Sequence, residues 1–318
     1  MTVEGGLTSL QLLERRLRTL ASGLAAQWGI YIRFLDNSDT IAIDADAPMD
    51  TMSLIKVPIL VALMRRVDLG EVSLEQKITL SDDHKRLGTG VLRLFGAGAT
   101  FSLRDAAWMM EVVSDNTATD ICLEAAGGVE AVNESMRRLG LDEIKMTGTA
   151  LDWFRALGGS MDPELATIAP GEFARRGYPA LSPADLADAR ARYHFETGRP
   201  FSMATARVLG QLLQKIYAKS CASPDSCDQI LEILAAQQLR DMIPRFVWGA
   251  KFAHKTGNFE PFIASDIAIA TPVHGTPVIM CFLSQRHHGP RGALENCVGR
   301  MAEQVVLTAE ARIPNYRR

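Results

Sequence analysis

Strand-like segments occur near the two ends of the chain, and this order limits the folds that the chain can adopt. Residues 30–35 and 40–43 are short apolar segments separated by a polar turn. Residues 251–256, 264–270 and 277–283 have the same character, with the spacing of antiparallel hairpins. The simplest arrangement pairs the first and last strands in one sheet, with the intervening residues outside it.

Helical patterns fill most of the remaining sequence. Periodic apolar residues predict a first helix over residues 10–28 and a last helix over 292–312, and the apolar run 51–64 predicts a buried helix. Further helices are predicted over residues 102–113, 117–126, 129–139, 204–218 and 228–238. Between residues 148 and 200 the periodicity is poor, which predicts a long loop that is either functional or a lid with helical pieces.

This order of elements predicts an α/β (α+β) fold with two lobes. We expect residues 1–48 and 249–318 to form an antiparallel sheet flanked by the N- and C-terminal helices. Residues 49–248 would form an all-helical lobe that carries the extended loop at about 148–200. With 318 residues, 47% of them apolar, the chain can bury a core of this size.

Charge and cysteine usage exclude several classes of function. The formal charge of −3, from 34 basic and 37 acidic residues, gives no reason to expect nucleic acid or a membrane as a partner. The five cysteines are odd in number and widely spaced, so we expect free thiols and no zinc site. The N-terminal segment does not resemble a secretion signal, which predicts a cytoplasmic protein; a periplasmic or secreted location stays open if a signal was removed before residue 1. No metal or organic cofactor is expected.

A lysine lies inside the apolar run 51–64, one helical turn after a serine. At this i, i+3 spacing Ser53 and Lys56 share a face of the helix. A desolvated lysine favours the neutral amine and can act as a base towards a neighbouring hydroxyl, so the pair offers a nucleophile and its activator. The alternative is that Ser53 caps the helix and Lys56 extends its ammonium group to solvent.

Two further tripeptides lie at the ends of predicted elements. Ser114-Asp115-Asn116 follows the helix that ends at residue 113, and Lys255-Thr256-Gly257 ends the first C-terminal strand. Each has an ordinary structural interpretation, as a helix N-cap and as a strand end entering a turn. The occurrence of all three motifs in this order is much harder to explain in that way.

Together, the three motifs resemble the signature of the penicillin-recognising serine hydrolases, the serine β-lactamases and penicillin-binding proteins. The flanking sequence resembles the class A branch, and the similarity extends from about Ile30 to the C-terminus. Ser114-Asp115-Asn116 in place of Tyr-x-Asn argues against class C enzymes and related esterases. The resemblance implies the two-lobe β-lactamase-like fold and a hydrolase that acts through an acyl-enzyme.

The resemblance also implies roles in acylation. Ser53 would attack a carbonyl carbon, and Lys56 would take its proton directly or through water. Ser114 would pass a proton to the leaving nitrogen, with Lys255 providing a favourable electrostatic field.

Substrate-binding roles follow from the same resemblance. Asn116 would bind the substrate amide, and Lys255 and Thr256, followed by Gly257, would hold a substrate carboxylate. The backbone N–H of Asn258 and that of the nucleophile would form the oxyanion hole. The expected partner is a small molecule with a lactam, amide or ester carbonyl, and one that carries a carboxylate.

The sequence departs from the class A pattern at the carboxylate that activates water for deacylation. Asp162-Pro163-Glu164-Leu165-Ala166 resembles the usual Glu-Pro-Glu-Leu-Asn, with Asp162 in the first position and Ala166 in the last. Glu196 is a second candidate for the deacylation carboxylate. Acylation is therefore better supported than turnover. Two alternatives stay open: a cytoplasmic esterase or hydrolase of a non-β-lactam amide or lactone, and a non-turnover penicillin-binding or sensor domain.

Overall fold

The computed structural model describes residues 2–3, 7–37 and 39–312, which divide into two compact units. The first, called here the sheet unit, comprises Met1–Leu54, Ala204–Ser220 and Cys227–Arg318. The second, the helical unit, comprises Ile55–Met203 and Cys221–Ser226. The predicted lobe limits at residues 48/49 and 248/249 differ from this division, because residues 204–220 and 227–248 group with the sheet.

The strands of the described chain are short except in one sheet. They are β1 (Thr2–Val3), β2 (Leu7–Thr8), β3 (Gln27–Phe34), β4 (Thr40–Ile43), β5 (Met49–Asp50), β6 (Lys77–Thr79), β7 (Thr100–Ser102), β8 (Lys145–Met146), β9 (Ser202–Ala204), β10 (Ala250–Phe259), β11 (Ile263–Pro272) and β12 (Val278–Gln285). Five of them form an antiparallel sheet in the order β10-β11-β12-β3-β4. The predicted pairing of the first and last strands is confirmed, because β3 lies beside β12.

The helices account for most of the rest. They are α1 (Ser9–Ser22), α2 (Lys56–Asp68), α3 (Leu103–Val112), α4 (Asn116–Ala125), α5 (Gly128–Arg138), α6 (Ala150–Gly159), α7 (Pro170–Arg176), α8 (Pro183–Arg192), α9 (Ala206–Tyr217), α10 (Pro224–Ala235) and α11 (Arg291–Ala311). Single 3₁₀ turns cover Met52–Ile55, Asp82–His84, Leu92–Leu94, Pro163–Ala166 and Ile243–Phe246, and a π-helical turn covers Tyr193–Thr197. Within the described chain, no helix is long and apolar enough to cross a membrane.

In the sheet unit, both faces of the sheet are covered by helices. α1 and α11 pack together on one face, where Ile30, Ile32 and Phe34 of β3 point into the core. α9 packs on the other face, so closely that a Cβ on Gly210 would lie 2.3 Å from the Tyr31 ring. This arrangement confirms the predicted sheet flanked by the first and last helices.

The helical unit is organised around α2. All nine residues from Lys56 to Met64 are buried, and α2 packs against α3, α4 and α5. The following helix begins as the sequence predicts, because Ser102 and Asp105 form a reciprocal capping box at the start of α3. Lys56, at the first position of this buried helix, therefore lies in a setting where its head group needs polar partners.

The segment from residue 148 to residue 200 is more ordered than a loop. It contains α6, α7 and α8, together with the 3₁₀ turn Pro163–Ala166 and the π-helical turn Tyr193–Thr197. Of the two forms that the sequence leaves open, the structure has the one with helical pieces.

Candidate active site

The ammonium group of Lys56 is the centre of a buried hydrogen-bond cluster in the helical unit. Its Nζ donates to the backbone oxygen of Ser114 at 2.7 Å, to Ser114 Oγ at 2.9 Å and to Asn116 Oδ1 at 2.9 Å. Lys56 is fully buried and Ser114 is 3% exposed. These three residues, called here the Lys56 cluster, bring the first and second sequence motifs together. Lys56 does not extend to solvent, so that alternative is wrong.

The backbone around Ser114 is held in an unusual conformation. Ser114 has φ +55, a value that side-chain-bearing residues adopt rarely. Asp115 holds the turn, since its carboxylate accepts hydrogen bonds from the N–H groups of Val91, Leu92 and Ala118 at 2.6, 2.8 and 2.9 Å. The acid of the second motif therefore supports the turn that presents Ser114 and Asn116, and it also caps α4 as the sequence allows.

The pKa of the Cys122 thiol is shifted by burial and by neighbouring charges of both signs. Burial raises the pKa of Cys122 far above its ordinary value, and the carboxylates of Glu111 and Asp115 raise it further. The positive charge of Lys56 acts in the opposite direction on the same pKa. The Lys56 cluster thus lies in a buried region with charges of both signs, where electrostatic interactions are stronger than in water.

Ser53 lies in the sheet unit, within a turn of residues 50–54 called here the Ser53 turn. Met52 has φ +47, and its N–H donates to Asp50 Oδ1 at 3.0 Å. Leu54 N–H then donates to the backbone oxygen of Thr51 at 3.0 Å. Ser53 is part of the 3₁₀ turn Met52–Ile55, and the N-cap position of α2 is Ile55, so Ser53 is not the helix cap.

β10 brings the third motif against the Ser53 turn. A Cβ on Gly257 would lie 2.5 Å from the backbone oxygen of Thr51 and 3.0 Å from Leu54 Cγ, so a larger residue would push the strand away. Lys255, Thr256 and Gly257 are buried, and Lys255 Nζ donates to the backbone oxygen of Thr256 at 2.8 Å.

Comparison with protein families agrees with this geometry. The model of the family described as the beta-lactamase enzyme family matches residues 12–308. The chain belongs to the beta-lactamase enzyme family. This membership confirms the predicted class of enzyme, a β-lactamase-like serine hydrolase, and the fold that the three motifs implied.

Individual members of the β-lactamase family and related folds are distant in sequence. The "Beta-lactamase regulatory protein BlaB" of Streptomyces cacaoi is 26% identical over 89% of this chain and 84% of that protein. A β-lactamase of Bacteroides uniformis is 26% identical over 43% of this chain and 47% of its own length. The crystal structure of a β-lactamase from Sphaerobacter thermophilus has a TM-score of 0.73 at 23% identity and covers 95% of this chain and 98% of its own. PBP-A has a TM-score of 0.74 at 22% identity, covering 95% of this chain and 97% of its own.

The two predicted deacylation carboxylates are both at least partly exposed. Asp162 caps the 3₁₀ turn Pro163–Ala166 by accepting from Glu164 N–H at 3.1 Å, and it forms an ion pair with Arg176 at 2.8 Å. Glu196 is exposed on the π-helical turn Tyr193–Thr197. No hydrogen bond or ion pair described for either carboxylate joins it to the Lys56 cluster, and their role as a base stays a prediction.

Sequence reasoning missed the elements of the segment 148–200 that do approach Asn116. Asp120, one turn after Asn116 on α4, accepts the N–H groups of Ala150 and Leu151 at the start of α6 at 2.8 and 3.1 Å. Farther along α6, the Phe154 ring touches Gly88: a Cβ there would lie 2.8 Å from Phe154 Cζ and 2.7 Å from Asn116 Nδ2. In the sequence, the one indication of this contact was Asp120, which lies four residues after Asn116, because residues i and i+4 share a face of a helix.

A buried ion pair holds this arrangement. Arg86 Nε lies 2.5 Å from Asp120 Oδ2, with the two side chains 11% and 8% exposed. Arg86 N–H also donates to Thr117 Oγ1 at 3.0 Å. The start of α6 is therefore attached to α4 through a carboxylate that is itself paired with Arg86.

Proposed function

We propose that the protein is a serine hydrolase that opens a lactam or amide through an acyl-enzyme on Ser53. The Lys56 cluster is the observation that carries this proposal. A fully buried amine that contacts a motif serine and a motif asparagine at once, in a chain of the β-lactamase family, is the arrangement that such chemistry requires.

The acceptors around Lys56 support its role as the base. The backbone oxygen of Ser114 and Asn116 Oδ1 can only accept hydrogen bonds, whereas a hydroxyl can also donate. An ammonium group can donate one proton to each of these three groups. A neutral amine can donate its two protons to the two obligatory acceptors and accept the proton of a hydroxyl. We propose that Lys56 takes the Ser53 proton in this state and returns it through Ser114 to the leaving nitrogen.

The third motif would hold the substrate. Lys255 and Thr256 would bind its carboxylate, with Gly257 allowing the close approach of β10 to the Ser53 turn. The backbone N–H of Asn258, with that of Ser53, would stabilise the oxyanion, and each such donor is typically worth about 3 kcal/mol in the transition state. The substrate class is thus a small carbonyl compound with a carboxylate.

Covalent labelling tests the proposal. A fluorophosphonate probe or penicillin G should leave its adduct on the peptide that contains Ser53, and Ser53→Ala should lower the labelling rate by at least about a thousandfold. Ser22→Ala, an exposed serine of α1, is the control and should label like the wild type. An adduct on another residue, or no adduct with any acylating probe, contradicts the proposal.

A second candidate function is a penicillin-binding sensor that is acylated without turnover. It is favoured by the lack of an evident base for turnover among the groups considered. Asp162 is engaged as a cap and ion-pair partner, and Glu196 is exposed. The α6 residue in contact with Gly88 is Phe154, whose ring cannot act as a base. A relative aligned over most of the chain is named as a β-lactamase regulatory protein. A mutant of PBP-A, with a TM-score of 0.73, has been solved as an acyl-enzyme complex with penicillin G.

Turnover distinguishes the two candidates. Product formed well beyond one equivalent per protein molecule, with β-lactams, simple esters or γ-lactams, supports the hydrolase; a single burst with every substrate supports the sensor. The esterase alternative predicts turnover of esters alone. The cytoplasmic location and the lack of nucleic-acid and membrane partners stay predictions.

A further inference from the structure

Two ionisable side chains, one on the strand of Lys255 and one on the neighbouring strand, have no part in the proposed chemistry. His254 of β10 and Asp266 of β11 are both fully buried. In the register of the two strands, Asp266 is the direct partner of Thr256. Because side chains alternate along a strand, His254 and Thr256 lie on the face opposite Lys255, and directly opposed residues share a face.

The contacts of Asp266 indicate which ring nitrogen of His254 carries a hydrogen towards it. Its Oδ2 accepts the N–H of Ile243 at 3.0 Å, and His254 Nδ1 lies 3.1 Å from Oδ1 and 3.3 Å from Oδ2. A carboxylate can only accept, so the hydrogen of the imidazole is assigned to Nδ1. The buried charge therefore has two donors on two different elements, which is what makes its burial tolerable.

The pair joins the edge strand of the sheet to the layer behind it. β10 is the last strand of the five-stranded sheet and pairs with β11 alone among the described strands. Ile243 begins the 3₁₀ turn Ile243–Phe246, which packs against α11 so closely that a Cβ on Gly299 would lie 2.9 Å from the Phe246 ring. Asp266 of β11 thus links His254 of the edge strand to a turn that lies outside the sheet.

We propose that the His254–Asp266 pair positions Lys255 and Thr256 for the substrate carboxylate; this inference rests on the proposed function. His254 directly precedes Lys255, and Asp266 is directly opposite Thr256. Removing the imidazole donor leaves a buried carboxylate with one partner fewer, and the edge strand can relax to compensate. A displacement of about 1 Å at a binding contact can cost on the order of a hundredfold in rate. Neither residue of the pair touches the substrate.

Two probes separate positioning from general support of the fold. Penicillin G carries a carboxylate, and a simple alkyl fluorophosphonate does not. His254→Leu should lower the second-order labelling rate of Ser53 by penicillin G at least about tenfold more than that by the fluorophosphonate. His254→Asn, whose amide N–H replaces the Nδ1 donor, should recover most of the loss.

The outcomes are distinct. An equal loss with both probes, or no recovery in a folded His254→Asn variant, overturns the positioning role. The thermal midpoint shows whether His254→Leu is folded. If it is not folded, Asp266→Asn replaces it and must show the same selective loss with penicillin G. An unselective loss in Asp266→Asn overturns the positioning role. A wild-type protein that is unlabelled at Ser53 by both probes overturns the proposed function itself, and a labelled wild type without selectivity in the variants overturns this inference alone.

Discussion

The Lys56 cluster and the two candidate carboxylates of the segment 148–200 lie in one unit but differ in burial and in the groups that they contact. Lys56 is fully buried and contacts two motif side chains. Asp162 is ion-paired to Arg176 near the surface, and Glu196 is exposed. Lys56, Ser114 and Asn116, which we propose act in acylation, converge in one cluster, whereas Asp162 is an ion-paired cap and Glu196 an exposed side chain. The difference teaches that groups predicted for the two halves of an acyl-enzyme cycle can have very unequal surroundings.

The largest effect should come from Lys56→Arg, which tests the first side of this comparison. Arginine keeps the positive charge but does not lose a proton at working pH, so it cannot act as a base. We expect the labelling rate of Ser53 to fall by about 10²- to 10⁴-fold, measured with a fluorophosphonate. Lys77→Arg, an exposed lysine of β6, is the control. Labelling of Lys56→Arg within a few-fold of the wild type would remove Lys56 from the mechanism.

Asp120→Ala tests whether the start of α6 is held as firmly as the Lys56 cluster. The change leaves the Arg86 guanidinium buried without its carboxylate and removes the acceptor for two N–H groups of α6. Loss of one partner of a buried pair typically costs about 3–5 kcal/mol in the free energy of unfolding. Denaturant titration measures this, with the exposed Asp142→Ala as control. A cost below about 1 kcal/mol would mean that α6 is held by other contacts.

Asp68, the last residue of α2, provides a pH-dependent test at the far end of the Lys56 helix. Burial acts to raise the pKa of Asp68, but hydrogen bonds from Ser226 and from the N–H and hydroxyl of Ser223 lower it overall. A lowered carboxyl pKa stabilises the folded state above the unfolded pKa of about 3.9, and this stabilisation is lost as the pH falls through the folded value. Asp68→Asn should therefore lower the free energy of unfolding by about 1 kcal/mol at pH 7, since solvent screens part of the effect.

The difference between wild type and Asp68→Asn should shrink as the pH falls from about 4 through the lowered folded pKa of Asp68, because only below that value are both the folded and the unfolded wild type protonated. Unfolding curves at pH 7, 5 and 3.5 measure it. A difference that is constant across this range would show that the hydrogen bonds of Asp68 do not depend on its charge.

The smallest effects are expected for the two candidate deacylation carboxylates. Asp162→Asn should weaken a partly exposed ion pair with Arg176, at a cost of at most about 1 kcal/mol, and Glu196→Gln should cost less. If neither residue is the base, neither change should alter the lifetime of the penicillin G acyl-enzyme by more than about twofold, measured by mass spectrometry after labelling. Trapping of the adduct by one variant would identify that residue as the base and reverse the comparison.

Short motifs on regular elements were predictable from the sequence, and the reasons are local. Asp115 of the second motif caps α4, as its structural interpretation predicts, and Ser114 and Asn116 contact Lys56. The catalytic role of the motif stays a prediction. The position of the apolar segments near the two ends of the chain was enough to predict that β3 and β12 lie in one sheet, where they pair directly. In each case a few neighbouring residues determine both the structure and the position of the functional group.

Features that depend on tertiary contacts were not predictable. The first helix was expected to reach residue 28 but ends at Ser22, and β3 begins at Gln27. Residues 24–28 have helical propensity, yet Trp28 pairs with Ser284 in the sheet, and strand pairing outweighs propensity. The approach of α6 to Asn116 was missed for the same reason, because the contacts of Asp120 join residues 30 and 31 positions apart.

The five cysteines have a consequence for how the protein can be handled and where it can function. All five are free and buried, and burial raises the pKa of Cys297 to about 11 and that of Cys281 well above its usual range. Thiol–disulfide exchange requires an accessible thiolate, which these side chains do not offer in the folded state. The stability of the native protein should therefore not depend on redox potential. A reductant should instead change the yield of refolding, because the thiols are exposed in the unfolded chain.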